Sequence, residues 1–252
     1  MRRMSLTGRR ALVTGGGRGI GKAISLRLAA AGAHVLVAGR TASEIEETAK
    51  AAGGTPLLLD VKDRSAIAGL RERTGAVDIL VNNAGIAGSA PYDRTGDELW
   101  DDMLAVNVTS AFLLCRALVP DMVKAGHGRV VNVASNAGLA GYSYTVAYCA
   151  SKHAMVGLTR ALAAEIAKSG VTVNAVCPGW VDTKMTDDAI ARIVKKTGRS
   201  EEEARRSLSS MSPQGRLVTP DEVAHTVLAL CDDAARGIHG QAIVVDGGQV
   251  MK

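Results

Sequence analysis

Thr14-Gly15-Gly16-Gly17-Arg18-Gly19-Ile20-Gly21 lies between a short apolar run, Ala11-Leu12-Val13, and a stretch of helical periodicity over 20–31 that Gly32 closes. Glycines at such a place let the backbone approach a diphosphate. The helix that follows offers free N–H groups and a partial positive charge to the same anion. A glycine run by itself is only a flexible turn. One that joins a strand to a helix at the amino end of the chain is a candidate dinucleotide-binding turn.

The same alternation continues outward from this turn. Val35-Leu36-Val37 reads as a strand and 43–52 as a helix; Leu57-Leu58-Leu59 and 64–73 repeat the unit. Ile79-Leu80-Val81, Val130-Val131-Asn132-Val133, 171–176 and 242–245 supply further strands. Strands apolar on both faces, alternating with helices, imply a parallel sheet covered on both sides. Right-handed crossovers then predict an α/β, doubly wound, Rossmann-type sheet. No linker divides the chain, so 1–252 reads as a single domain. The one break in composition, 182–212, is polar and helical in pattern and reads as an inserted lid.

Composition narrows the function classes. At 47% hydrophobic and 22% charged the chain is globular, and with only 3% aromatic residues it lacks the stacking surface of a single-strand nucleic-acid binder. A net charge of +5 favours anionic ligands, but the basic residues are scattered, which argues against nucleic acid as a partner. Met1-Arg2-Arg3-Met4 is basic without an apolar run behind it, so no signal peptide is expected. Apolar runs are strand-length, so no membrane association is expected. Cys115, Cys149, Cys177 and Cys231 lack metal-ligand spacing and read as buried, reduced thiols of a cytoplasmic protein, with no metal site.

The spacing of Gly15, Gly19 and Gly21, T-G-x-x-x-G-x-G, resembles the short-chain dehydrogenase/reductase family. Asn82-Asn83-Ala84-Gly85 matches that family's second signature, with Asn83, Ala84 and Gly85 beside the cofactor. Tyr148-Cys149-Ala150-Ser151-Lys152 places a phenol and an ammonium four residues apart on one helix face. The ammonium is expected to stabilise phenolate and lower the tyrosine pKa, fitting Tyr148 to exchange a proton with a carbonyl or alcohol oxygen. Ser135 ends the fifth strand, where its hydroxyl can meet the oxygen on which charge develops. With Asn107 these residues resemble the family's Asn-Ser-Tyr-Lys tetrad. The resemblance implies that Asn107 holds a water serving as a proton route and that Lys152 also binds the nicotinamide ribose. Without it, Asn107 is a buried amide satisfying backbone.

The choice of dinucleotide turns on the end of the second strand. An NAD site usually carries a carboxylate there. Here the strand ends Ala38-Gly39-Arg40. Arg40 and Arg18 can form charge-assisted bonds to a 2′-phosphate, which predicts NADP (NADPH); the bland reading is two solvated arginines. The resemblance further places Ile20 in the pyrophosphate turn and Asp60-Val61 at the adenine, where Asp60 can also cap the next helix. In Cys177-Pro178-Gly179-Trp180-Val181-Asp182-Thr183 it assigns Val181 and Thr183 to the nicotinamide carboxamide. His153 points about 100° away from Lys152 and reads as a packing residue.

The lid carries Arg192, Lys195, Lys196, Arg199, Arg205 and Arg206 among acids. It suits a substrate on a phosphate-bearing carrier, CoA or acyl-carrier protein, as well as it suits a solvated mixed-charge face. The chain is similar to bacterial 3-oxoacyl-thioester reductases and 3-hydroxyacyl-CoA dehydrogenases. Polyketide and steroid ketone reductases share the frame, and a non-catalytic NADP-binding sensor is the reading from another class. The family implies a homotetramer; the sequence supports a homo-oligomer.

Overall fold

The computed structural model describes residues 4–251, so the expectation of no leader at Met1-Arg2-Arg3 lies largely outside the described residues. The chain starts with β1 (Arg10–Thr14), α1 (Gly19–Ala30), β2 (His34–Gly39), α2 (Ala42–Ala52) and β3 (Thr55–Leu58). Next come α3 (Arg64–Ala68), α4 (Leu70–Thr74), β4 (Ile79–Asn82) and α5 (Asp97–Leu104). A π turn, Ala105–Thr109, joins α5 to α6 (Ser110–Ala125). The remainder is β5 (Gly128–Val133), α7 (Val146–Glu165), β6 (Val171–Pro178), α8 (Lys184–Thr197), α9 (Glu201–Ser209), α10 (Pro220–Cys231) and β7 (Ala242–Val245).

All seven strands are parallel, in the order β3-β2-β1-β4-β5-β6-β7. The order reverses direction between β1 and β4, which opens a crevice at the carboxyl ends of those strands. Successive side chains of one strand point to opposite faces. Val13, Val35 and Val37 therefore join α1 and α10 in one core through Ile24, Leu28, Val223 and Val227. Leu12, Leu36 and Leu80 meet Leu70, Leu114, Leu118 and Met122 from α4 and α6 on the other side. Each fully buried leucine contributes roughly 1.5–3 kcal/mol, which is why the strands read as apolar runs without alternation.

Three local readings are corrected. β3 runs one to two residues earlier than expected and contains Pro56; as the sheet's edge it needs no amide donor there, and Leu58 is left 60% exposed. The helix expected over 64–73 is two short helices divided at Gly69. The helical run Asp97–Ala125 is long and apolar enough to cross a membrane by length and composition. Its large apolar residues Leu113, Leu114, Leu118 and Met122 are buried against the sheet instead.

Candidate active site

The glycine turn is fitted by close contact. A Cβ on Gly21 would lie 2.0 Å from the carbonyl oxygen of Gly15, so no other residue leaves the turn intact. Gly15 has φ +61°, the left-handed region, and sits against Asn83 Nδ2. Asn83 Nδ2 donates to the carbonyls of Thr14 (2.8 Å) and Gly15 (3.2 Å). The Thr14 hydroxyl accepts from Asn83 N and Ala84 N, both at 3.0 Å. The two glycine-bearing signatures, far apart in sequence, thus brace each other across the β1–β4 crevice. Thr14, the residue that opens the glycine motif, is a member of this brace.

Helix α1 starts at Gly19 with no side-chain cap and no acid in its first turn, so its N–H groups and dipole face the crevice uncompensated. The cradle and the open helix end both fit a diphosphate. Half-buried Ile20 follows directly. Across the crevice, a Cβ on Gly19 would be 3.4 Å from Thr183 Cγ2, so Thr183, at the start of α8, meets the glycine turn. Val181 is buried and bridges to Val218, and its carbonyl accepts from the Thr183 hydroxyl.

At the outer end, Arg40 is exposed and without an ion pair among the described residues. Lys62, which sequence reasoning did not single out, is near enough for the two cations to repel electrostatically. Lys62 is itself held by Asp102 at 2.5 Å. Arg18 is paired with Glu44 Oε1 at 3.7 Å. Asp60 does not cap α3: its carboxylate accepts from Lys62 N, while Asp63 accepts from Ser65 N and Ala66 N at the helix start. Val61 beside it is buried.

The candidate reacting groups lie near one another beyond the second signature. Gly85 lies over Asn107 and Lys152: a Cβ there would be 3.3 Å from Asn107 Oδ1 and 3.6 Å from Lys152 Nζ. Lys152 is 4% exposed, donates to the Val133 carbonyl at 3.0 Å and has its Nζ 5.7 Å from the Tyr148 ring centre. Ser135 lies near enough to Tyr148 to favour its phenolate form. Its Oγ also accepts from Ala137 N at 3.1 Å. Asn107 falls in the π turn, where the extra residue per turn re-aims the side chain. Its amide is bound to both backbone groups of Ile86 (2.9 and 3.1 Å) and to Ser151 Oγ (3.0 Å). This is the backbone-satisfying role, and it positions Ile86 just beyond the second signature.

The electrostatics differ from expectation. Burial raises the Tyr148 phenol above its ordinary value, with Ser135 pulling it down and the Cys149 and Cys177 thiols pushing it up. The Lys152 ammonium, itself pushed down to about 8 by burial, does not offset this. The raised value favours the protonated phenol over the phenolate. Burial also raises the Cys177 thiol to about 11 and those of Cys115 and Cys231 to about 12, so these remain protonated, whereas Cys149 is only half-buried. His153 is exposed rather than packed, its Nδ1 2.9 Å from the Cys149 carbonyl.

The segment read as a lid forms two helices, α8 and α9, with a small core of Ile190, Ala204 and Leu208. Arg205 pairs with Asp182 and Asp187, and Arg206 with Glu202. Arg192, Lys195, Lys196 and Arg199 are exposed without an ion pair among the described residues.

A model of the short chain dehydrogenases matches residues 9–193. The chain is 39% identical to the D-beta-hydroxybutyrate dehydrogenase of Cupriavidus necator, over 98% of this chain and all of that one. It is 36% identical to a 3-oxoacyl-acyl-carrier-protein reductase of Thermotoga maritima, with 98% and 100% covered. Among solved structures, an actinorhodin polyketide ketoreductase variant with NADPH superposes with a TM-score of 0.91 at 39% identity, covering 96% of this chain and 97% of that one.

Proposed function

The chain belongs to the short-chain dehydrogenase family, and from that premise we propose that it is an NADPH-dependent reductase of 3-oxoacyl thioesters. It is an oxidoreductase of ketone/secondary-alcohol pairs. The observation that carries the reading is the buried Lys152 ammonium beside the Tyr148 ring, with Ser135 near the same tyrosine at the carboxyl end of β5.

Gly15, Gly19 and Gly21 with the open end of α1 would hold the dinucleotide's diphosphate. Asp60 and Val61 would meet its adenine, Arg40 and Arg18 its 2′-phosphate, and Val181 and Thr183 its carboxamide. When bound, the nicotinamide supplies the hydride. Ser135 donates a hydrogen bond to the substrate's carbonyl oxygen, aimed where negative charge develops. Tyr148 gives its phenolic proton to that oxygen, and a raised pKa keeps this acid protonated until it is needed. Lys152 supplies a buried positive charge that stabilises the phenolate left behind. Asn107 fixes Ile86 and Ser151 around this group. The segment 182–212 would close over the substrate, and its exposed cations Arg192, Lys195, Lys196 and Arg199, without an ion pair among the described residues, suit the phosphates of a CoA or carrier-protein thioester. Relatives that act on carrier-bound and polyketide ketones support this substrate class.

The test is NADPH and NADH oxidation measured side by side with acetoacetyl-CoA. Fast turnover favouring NADPH is expected. NADPH binding without turnover on any 3-oxoacyl thioester overturns the substrate assignment.

A further inference from the structure

Asp246, just beyond β7, is 3% exposed and far from Ser135 in sequence. Its Oδ1 accepts from Gly248 N and Gln249 N, both at 3.0 Å. Its Oδ2 accepts from Val250 N at 2.9 Å and from Asn136 Nδ2 at 3.2 Å. Asn136 is 5% exposed and adjoins Ser135. A carboxylate only accepts, so it takes the NH2 end of the Asn136 amide and turns the carbonyl end the other way. That carbonyl lies 3.5 Å from Ser135 Oγ. The hydroxyl therefore faces acceptors on this side, Asn136 Oδ1 and the Pro178 carbonyl at 3.4 Å, while one of its lone pairs is taken by Ala137 N. Both resting bonds for its proton are long, so the proton is placed but weakly held. A reversed Asn136 amide would instead present N–H groups to Ser135 Oγ and compete for its lone pairs.

We propose that Asp246 is a positioning residue which, through Asn136, fixes the orientation of Ser135 as a hydrogen-bond donor to the reacting oxygen. The inference rests on the role given above to Ser135. It also ties the tail to the site: the carboxylate that orients Asn136 gathers three backbone N–H groups of 248–250, and the Gln249 amide donates to the Tyr142 hydroxyl at 3.0 Å.

The experiment measures kcat, KM and NADPH affinity with acetoacetyl-CoA for Ser135→Ala, Asn136→Ala, Asp246→Asn and the double variant Ser135→Ala/Asn136→Ala, with thermal midpoints for each. Asn136→Ala leaves the three tail contacts of Asp246 in place, and Asp246→Asn is isosteric, so neither depends on the other variant folding. Loss of one orienting hydrogen bond is expected to lower kcat roughly 3- to 10-fold, with KM and NADPH affinity within about twofold. In the Ser135→Ala background the same substitution is expected to cost nothing further. A wild-type kcat for Asn136→Ala and Asp246→Asn, or a loss that persists in the double variant, overturns the positioning role. An unchanged kcat for Ser135→Ala alone overturns the reading of Ser135 itself, which is a different failure.

Discussion

Lys152→Met removes a charge that the fold buries at a cost, so it is expected to stabilise the free protein while destroying its activity. The ammonium has an ordinary pKa of 10.5 and one of about 8 in this site. A tenfold change in proton affinity is about 1.4 kcal/mol, so keeping Lys152 charged in the folded state costs roughly 3 kcal/mol at pH 7. Methionine fills similar volume without that cost. It forfeits the bond to the Val133 carbonyl, about 1 kcal/mol. The net gain is roughly 2 kcal/mol, or about 4–8 °C in Tm for a chain of this size. The sign with pH follows from the depressed pKa. Below about 8 both states hold the proton and the wild type bears the full cost. Between 8 and 10.5 the folded state sheds its proton while the unfolded state keeps it, so wild-type stability from this group rises with pH. The variant's advantage is therefore greatest at pH 7 and falls to near zero by pH 10. Differential scanning calorimetry of both proteins, without dinucleotide, at the two pH values measures it. A variant no more stable than wild type at pH 7, or an advantage that grows with pH, refutes the reasoning.

Arg40→Asp is expected to weaken NADPH binding roughly 10- to 100-fold, the value of a charge-assisted contact, and NADH binding far less; titration of protein fluorescence reads both, and equal losses remove Arg40 from phosphate recognition. Tyr148→Phe is expected to bind NADPH normally while turnover falls by at least ~100-fold, and near-normal steady-state rates would dismiss Tyr148 as the acid. Gly21→Ala places a Cβ 2.0 Å from the Gly15 carbonyl, so NADPH binding is expected to be lost in a protein whose circular dichroism is retained; calorimetric titration that still shows tight binding would disprove the fitted turn.

The strands were legible because burial on both faces leaves continuous apolar runs, and the glycine turn because its contacts demand residues that only glycine supplies. β3 was misplaced because its apolar run, Leu57-Leu58-Leu59, is out of step with the edge ladder, which takes in exposed Thr55 and Pro56 and ends at Leu58. The π turn at Asn107 was invisible: its residues have ordinary helical propensities, and the register changes only where the amide ties to Ile86. The Tyr148 acidity was misjudged for a related reason. Spacing on a helix puts Lys152 beside the ring, but how dry that place is depends on strands and loops contributed from elsewhere. Asn136 and Asp246 gave no signal because their pairing spans 110 residues, and no local pattern encodes it.

The 182–212 segment has its own small core, a glycine stop at Gly198, and a capping box of Ser200 and Glu203. Substitutions in its interior are felt mainly by its own few side chains and not by the sheet, since sites without shared partners vary independently. The fold therefore separates two kinds of change. On the proposed function, the sheet and its glycine turn can stay fixed while the 182–212 segment is rewritten like a replaceable cassette, so a new substrate would be reached without relearning the chemistry.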